Sequence, residues 1–157
     1  MNDLWHMQSA FKEAEKAFDM DEVPVGAIIV DDSDKVLASA HNLKEKNKNP
    51  CHHAEVLAIG EATRQLKKWR LESCTLFVTM EPCIMCLGAI CESRMARIVF
   101  GAYDSKRGAL SNGLHPLKSD LFNHRPDLLG GLMHYECSHL LSTFFRGKRA
   151  FHKSKKI

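Results

Sequence analysis

His53-Ala54-Glu55 and Pro82-Cys83-Ile84-Met85-Cys86 constrain this chain more than any other feature, because their chemistry requires two distant segments to fold against each other. His53, Cys83 and Cys86 are three donors of the kind zinc prefers. A structural zinc site closes with four protein ligands, whereas a catalytic one has three and keeps a position for water. Glu55 is a carboxylate the metal does not need. It stands where it could handle the protons of that water.

The order of elements can be read around this pattern. Leu4, Met7, Phe11, Ala14 and Phe18 recur at three- and four-residue intervals and predict a helix, with Asn2 or Asp3 as its cap. Val25 to Val30 reads as a buried strand, and Asp31-Asp32-Ser33-Asp34 turns it into a second strand over Val36 to Ala40. A helix is expected from His52 to Lys68, a strand from Thr75 to Thr79, a helix from Cys83 to Ser93 and a strand from Arg97 to Phe100. Residues 103–126 are rich in Gly, Ser, Asn and Pro, and a connection of that length is often a binding element. A final helix is predicted from Tyr135 to Arg149, with Leu140, Leu141, Phe144 and Phe145 facing inward. Alternating helices and strands imply a three-layer α/β/α domain with a mixed sheet.

Both halves of the metal pattern then fall at helix starts. Cys83 and Cys86 share a helix face, Pro82 suits the position before it, and a helix N-terminus favours the thiolate form. His53 and Glu55 would point about 200° apart inside a regular helix. They can serve one site only if His53 sits at the very beginning, which Pro50 just upstream supports.

The chain of 157 residues is expected to be one domain, 1–157. The start has no basic region followed by an apolar run, and no stretch approaches the ~20 apolar residues of a membrane span. Six cysteines without a leader point to metal and reduced thiols, hence to a cytoplasmic protein. Cys74, Cys91 and Cys137 read as buried apolar thiols. The net charge of +3 is concentrated in residues 146–157, which carry six Lys/Arg and no acid. Such a basic tail suits an arm that meets phosphates, or simply a solvated terminus.

Zinc lowers the pKa of a bound water toward about 7, producing hydroxide at neutral pH. With Glu55 as proton shuttle, that hydroxide can attack the amine-bearing carbon of a nucleobase, and H-x-E…P-C-x-x-C is a zinc-deaminase signature. Cys51 offers a rival. As a fourth ligand it would close the site and leave a zinc-stabilised RNA-binding module, with His52 a further possible donor.

The chain resembles the bacterial tRNA-specific adenosine deaminases of the cytidine deaminase-like superfamily from about Met7 to Arg149. The resemblance is carried by Glu22-Val23-Pro24-Val25-Gly26-Ala27, Asn42, His53-Ala54-Glu55, Thr79-Met80-Glu81-Pro82-Cys83-Ile84-Met85-Cys86, Gly88-Ala89-Ile90, Val99-Phe100-Gly101-Ala102, Asn123-His124-Arg125 and Phe144-Phe145-Arg146. It implies a central mixed five-stranded sheet, one Zn2+ per subunit on His53, Cys83 and Cys86, and conversion of the wobble adenosine of a tRNA anticodon to inosine. By the same resemblance Asn42 would bond the purine edge, Val25 and Ala54 would line the base pocket, and Asp104 would lie near a ribose. Asn123, His124, Arg125, Phe145 and Arg146 would hold the splayed bases of the anticodon stem-loop, and the protein would be a homodimer. Cys51-His52 departs from the small or hydroxyl residues usual ahead of His-Ala-Glu, and residues 105–122 match only at Gly108-Ala109. A deaminase of free guanine or nucleosides is the second enzymatic reading.

Overall fold

The computed structural model describes residues 2–111, 116–118 and 120–154. Its elements are α1 (Asp3–Asp19), β1 (Gly26–Val30), β2 (Val36–His41), α2 (Ala54–Leu66), β3 (Thr75–Met80), α3 (Ile84–Glu92), β4 (Arg97–Ala102), a 3-10 turn (Pro116–Lys118), β5 (Asp127–Gly130) and α4 (His134–Ser154). The five strands form one sheet in the order β2-β1-β3-β4-β5. β1 runs antiparallel to both β2 and β3, whereas β3, β4 and β5 are parallel.

Side chains alternate across the sheet as a pleat requires. Ile28, Val30, Phe77 and Val99 meet Met7 and Ala10 of α1 on one face. Ala27, Ile29, Leu76, Val78 and Ile98 meet Ala54, Ala58, Ala62, Leu87 and Ile90 of α2 and α3 on the other. α4 packs against α1 and β4, completing a three-layer α/β/α sandwich.

The buried stripe of α1 is Met7, Ala10, Ala14 and Ala17, and Leu4 is half exposed. Small side chains here let the helix press onto β1. A Cβ on Gly26 would overlap the Ala10 carbonyl oxygen and the Ala14 nitrogen, so this contact needs glycine. Asn2 caps α1 through the Trp5 N–H at 3.1 Å, and Asp3 instead forms a two-pronged pair with Arg97 at 2.7 and 2.9 Å.

Two expectations are extended by the structure. The five strands implied by the resemblance are present, but the residue pattern did not locate β5, since Asp127-Leu128-Leu129-Gly130 is a short edge strand with three exposed residues and no alternation. α4 continues to Ser154, so the described part of the basic segment is helical. No described helix is long and apolar enough to cross a membrane.

Candidate active site

Strand directions bring the site together. The start of β1 and the ends of β2, β3 and β4 share one end of the sheet, as the pairings Gly26↔His41, Ala27↔Val78 and Met80↔Ala102 require. Val25, Asn42, Cys83 and Asp104 follow or precede these strands at that end.

His53 and Cys83 are the N-cap residues of α2 and α3. Both have extended backbone (φ −78°, ψ 152° and φ −73°, ψ 170°), so their side chains project past the helix end. This resolves the angular problem of H-x-E: His53 precedes the helix and Glu55 lies in its first turn. Cys86 is reached one turn into α3. His53 Nδ1 stands 3.7 Å from Cys83 Sγ and 3.5 Å from Cys86 Sγ. Zinc–sulfur and zinc–nitrogen bonds of ordinary length put tetrahedral N and S donors about 3.6 Å apart. The donor triangle therefore fits the ion. All three donors lie within 4.8 Å of one another, and among the described residues they form the one such group.

Electrostatics fit the same purpose. Hydrogen bonding from Cys86 and from the His53 ring pulls the Cys83 thiol down to about 3, a thiolate at any ordinary pH. The Cys86 thiol is pushed up by its neighbour Cys83 and by burial. Without a cation the pair holds one proton that a divalent ion would displace. Cys51 is exposed and outside the donor group, its N–H bonded to Asn49 Oδ1 at 2.9 Å, and His52 Nδ1 faces the Asn47 amide at 2.9 Å. The arrangement has three donors, as a catalytic site does.

Glu55 is buried beside this group without belonging to it. Burial raises its pKa to about 7, partly offset by a hydrogen bond from its own backbone N–H and by His53. A carboxyl poised near neutrality can take up and release a proton.

Two further buried carboxylates flank the site, and sequence reasoning missed both. Glu22 accepts the N–H groups of Glu45 (3.1 Å) and Lys46 (2.7 Å), fixing the loop that leads to His53. Glu81 accepts from Asp104, Leu110 and Ser111 of the loop after β4. Both stand inside segments that carry the family resemblance, which was the available signal, but no role was attached to either. Asn42 spans β2 and α2: its Oδ1 accepts the Ala54 N–H (2.9 Å) and its Nδ2 donates to the Val23 carbonyl (3.1 Å).

A cleft of about 1220 Å³ opens over the site. His53, Glu55 and Cys83 lie at its base, with Val25, Asn42 and Asp104 around them. α4 forms the opposite wall, presenting Phe145 and Arg146. The lining adds Lys44, Lys106, Arg107, Lys148 and Arg149 against Asp21 and Glu45, with Lys148 paired to Asp21, so around the three buried glutamates bases outnumber acids. Both phenylalanines line the cleft, Phe145 as an exposed side chain and Phe144 as a mostly buried one packed against Phe18. Ala54 is fully buried at the first position of α2.

Asn123 and His124 lie elsewhere. Because β5 runs parallel to β4, residues before it sit with residues before β4, at the other end of the sheet. Asn123 Oδ1 accepts from Arg94 and His124 Nε2 faces the Met95 carbonyl at 2.6 Å. Both serve the α3–β4 turn of their own chain, and Arg125 follows them. His134 and His139, unassigned from sequence, pack against Tyr103 and Tyr135; His115 lies outside the described residues. Cys74, Cys91 and Cys137 are buried, and burial raises all three thiols, Cys91 to about 11 and Cys137 to about 12.

The comparisons with known proteins agree with this geometry. The MafB19-like deaminase family model matches residues 1–149. The chain is 44% identical over 147 residues to a tRNA-specific adenosine deaminase of Bacillus subtilis, covering 94% of this chain and 91% of the relative. A solved tRNA:A34 deaminase, studied for A-to-I editing at the wobble position, superposes with a TM-score of 0.84 at 36% identity, covering 87% of this chain and 98% of the other. A guanine deaminase structure from Bacillus subtilis is 32% identical with a TM-score of 0.63, covering 72% of this chain and 71% of the other. With its three-donor group, its adjacent glutamate and relatives spanning nearly its full length, the chain belongs to the tRNA-specific adenosine deaminases, within the MafB19-like deaminase family.

Proposed function

We propose that this protein converts the wobble adenosine of a tRNA anticodon to inosine by hydrolysis. The carrying observation is the meeting, at one end of the sheet, of the three-donor group, Glu55 beside it and the basic cleft above it. One Zn2+ per subunit on His53, Cys83 and Cys86 would activate a water and leave room for substrate. Glu55 would take one proton from the attacking water and deliver it to purine N1, then take the second from the new C6 hydroxyl and deliver it to the amine as the C6–N bond breaks. Adenosine and water thus give inosine and ammonia.

Asn42 keeps one unused hydrogen-bond position on each polar atom of its amide, enough to meet the purine edge. Val25 lines the base pocket, Ala54 lies fully buried behind the lining rather than in it, and Asp104 stands beside a neighbouring ribose. Phe145 stacks an unpaired base and Arg146 meets phosphate, the usual division on single-stranded RNA. The tRNA loop offers bases that unstack cheaply. Asn123, His124 and Arg125 reach RNA only from the far end of the sheet, so their role calls for a second subunit. A homodimer is accordingly part of the proposal, as are a single domain over 1–157 and a cytoplasmic location.

The relative that deaminates guanine supports a second reading. Small-ligand pockets run to about 1,000 Å³ and are mostly apolar. A larger cleft with a basic rim favours RNA. The test supplies an anticodon stem-loop with wobble adenosine and, separately, free bases and nucleosides. Inosine in the stem-loop alone, lost in Glu55→Ala with zinc retained, is the expected result. Turnover of free bases alone would overturn the tRNA assignment.

A further inference from the structure

Glu81 lies between the metal ligands and the substrate-facing loop, and no step of the reaction uses it. Its side chain is 3% exposed. Oε2 accepts the Asp104 N–H (2.9 Å) and the Ser111 hydroxyl (2.6 Å), and Oε1 accepts the N–H groups of Leu110 (2.8 Å) and Ser111 (2.7 Å). One carboxylate thereby ties both ends of the segment 104–111. The middle is tied to the metal loop as well: Gly108 bridges to Cys83, and the Ala109 N–H donates to the Pro82 carbonyl at 2.9 Å. Asp104 Oδ1 then shapes the turn by accepting from the N–H groups of Lys106 (3.0 Å) and Arg107 (3.1 Å). Asp104, Lys106 and Arg107 are the three members of this segment that line the cleft.

A buried carboxylate with four donors is stable only while the loop wraps around it. Gly108 makes that wrapping possible, because a Cβ there would overlap Glu81 Cδ and the Asp104 carbonyl. Resting on the tRNA reading above, we infer that Glu81 is a positioning residue for substrate: it keeps the 104–111 segment in its RNA-binding form through side-chain bonds that touch no zinc ligand.

Two substitutions test this from opposite sides. Glu81→Gln replaces one acceptor oxygen by an amide that faces N–H and O–H donors. Gly108→Ala leaves the carboxylate intact and pushes the loop away from it. If either leaves the bound form populated one time in ten, apparent affinity falls about tenfold. The expected result is a KM for the anticodon stem-loop raised about tenfold or more in both variants, with kcat within about threefold of wild type. Zinc content should stay at the wild-type level, and hydrogen exchange should quicken at the amides of Asp104, Leu110 and Ser111 but not in α2. The double variant should add little to either single one. Unchanged KM in Gly108→Ala with a loosened loop overturns the inference, and so does loss of zinc together with kcat in Glu81→Gln. Wild-type protein, zinc-loaded, that converts no stem-loop would overturn the tRNA reading and the inference with it. Normal wild-type turnover with unaltered variants sinks the inference alone.

Discussion

The two ends of the sheet are built from the same kinds of strand but hold charge differently. At the working end three glutamates, Glu22, Glu55 and Glu81, are each less than 5% exposed. At the other end charges stay partly in water: Asp3 with Arg97, and His6 with the half-exposed Asp34. Burying a carboxylate is costly unless donors surround it. Glu22 and Glu81 have such donors in backbone N–H groups, whereas Glu55 has burial as the dominant influence on its pKa. The contrast separates two uses of one side chain. Glu22 and Glu81 gather N–H groups from a distant loop and fix it, whereas Glu55 meets the N–H of its own residue, burial outweighs it, and its carboxyl is left poised near neutrality.

Substitutions can break or sharpen this contrast. Glu55→Ala should lower turnover of the stem-loop by about 10²–10⁴-fold with metal content unchanged, the usual contribution of a proton-shuttling side chain. Inosine formation and zinc analysis on the same sample check it. Arg97→Ala, at the other end, should leave turnover alone.

Stability against pH should show the next largest effect. In metal-free protein the Glu55 carboxyl titrates at about 7, above its ordinary 4.5. The folded state then holds a proton that the unfolded chain has released. This contribution is fully present below about pH 4.5 and lost as pH rises through about 7. Relative to Glu55→Gln, wild-type apoprotein should lose about 3 kcal/mol across that window, measured by denaturant unfolding at each pH. Equal pH curves would mean that Glu55 is not set apart from its two neighbours.

Smaller effects should follow in the cleft. Phe145→Ala should weaken RNA binding by about 1–3 kcal/mol, the worth of one base stack. Arg146→Ala should flatten the dependence of affinity on salt by about one phosphate contact. Smallest of all, Asp3→Asn should cost about 1 kcal/mol of stability without altering turnover, because its pair is only partly buried. Cys51→Ser should keep both zinc and turnover, since its thiol is outside the donor group.

The three-donor group was legible because its spacing is local: one residue in each half caps a helix, and Pro50 and Pro82 announce where those helices begin. The sheet was legible through β4 because its strands are buried and apolar. β5 escaped because it is short and exposed. The end of α4 escaped because Arg, Lys and Ala sustain a helix without an apolar stripe. Glu22 and Glu81 escaped for a different reason. Their partners are backbone N–H groups, which every residue carries, so no spacing of side chains signals them. The placement of Asn123 and His124 depends on β5 running parallel to β4, a fact of topology beyond the reach of a motif.

Holding the first ligand of each segment on a helix cap has a practical consequence. His53 and Cys83 contribute no side-chain bond to either helix end. The backbone ladders of α2 and α3 begin from their carbonyls, with Leu57 N–H on His53 O at 3.1 Å and Leu87 N–H on Cys83 O at 2.9 Å. Those ladders are complete whether or not the imidazole and thiolate are engaged. An ion held there would therefore be a replaceable part of a finished frame, open to withdrawal by a chelator and to exchange for cobalt. A spectroscopically silent centre can in this way be given a colour without rebuilding the protein around it.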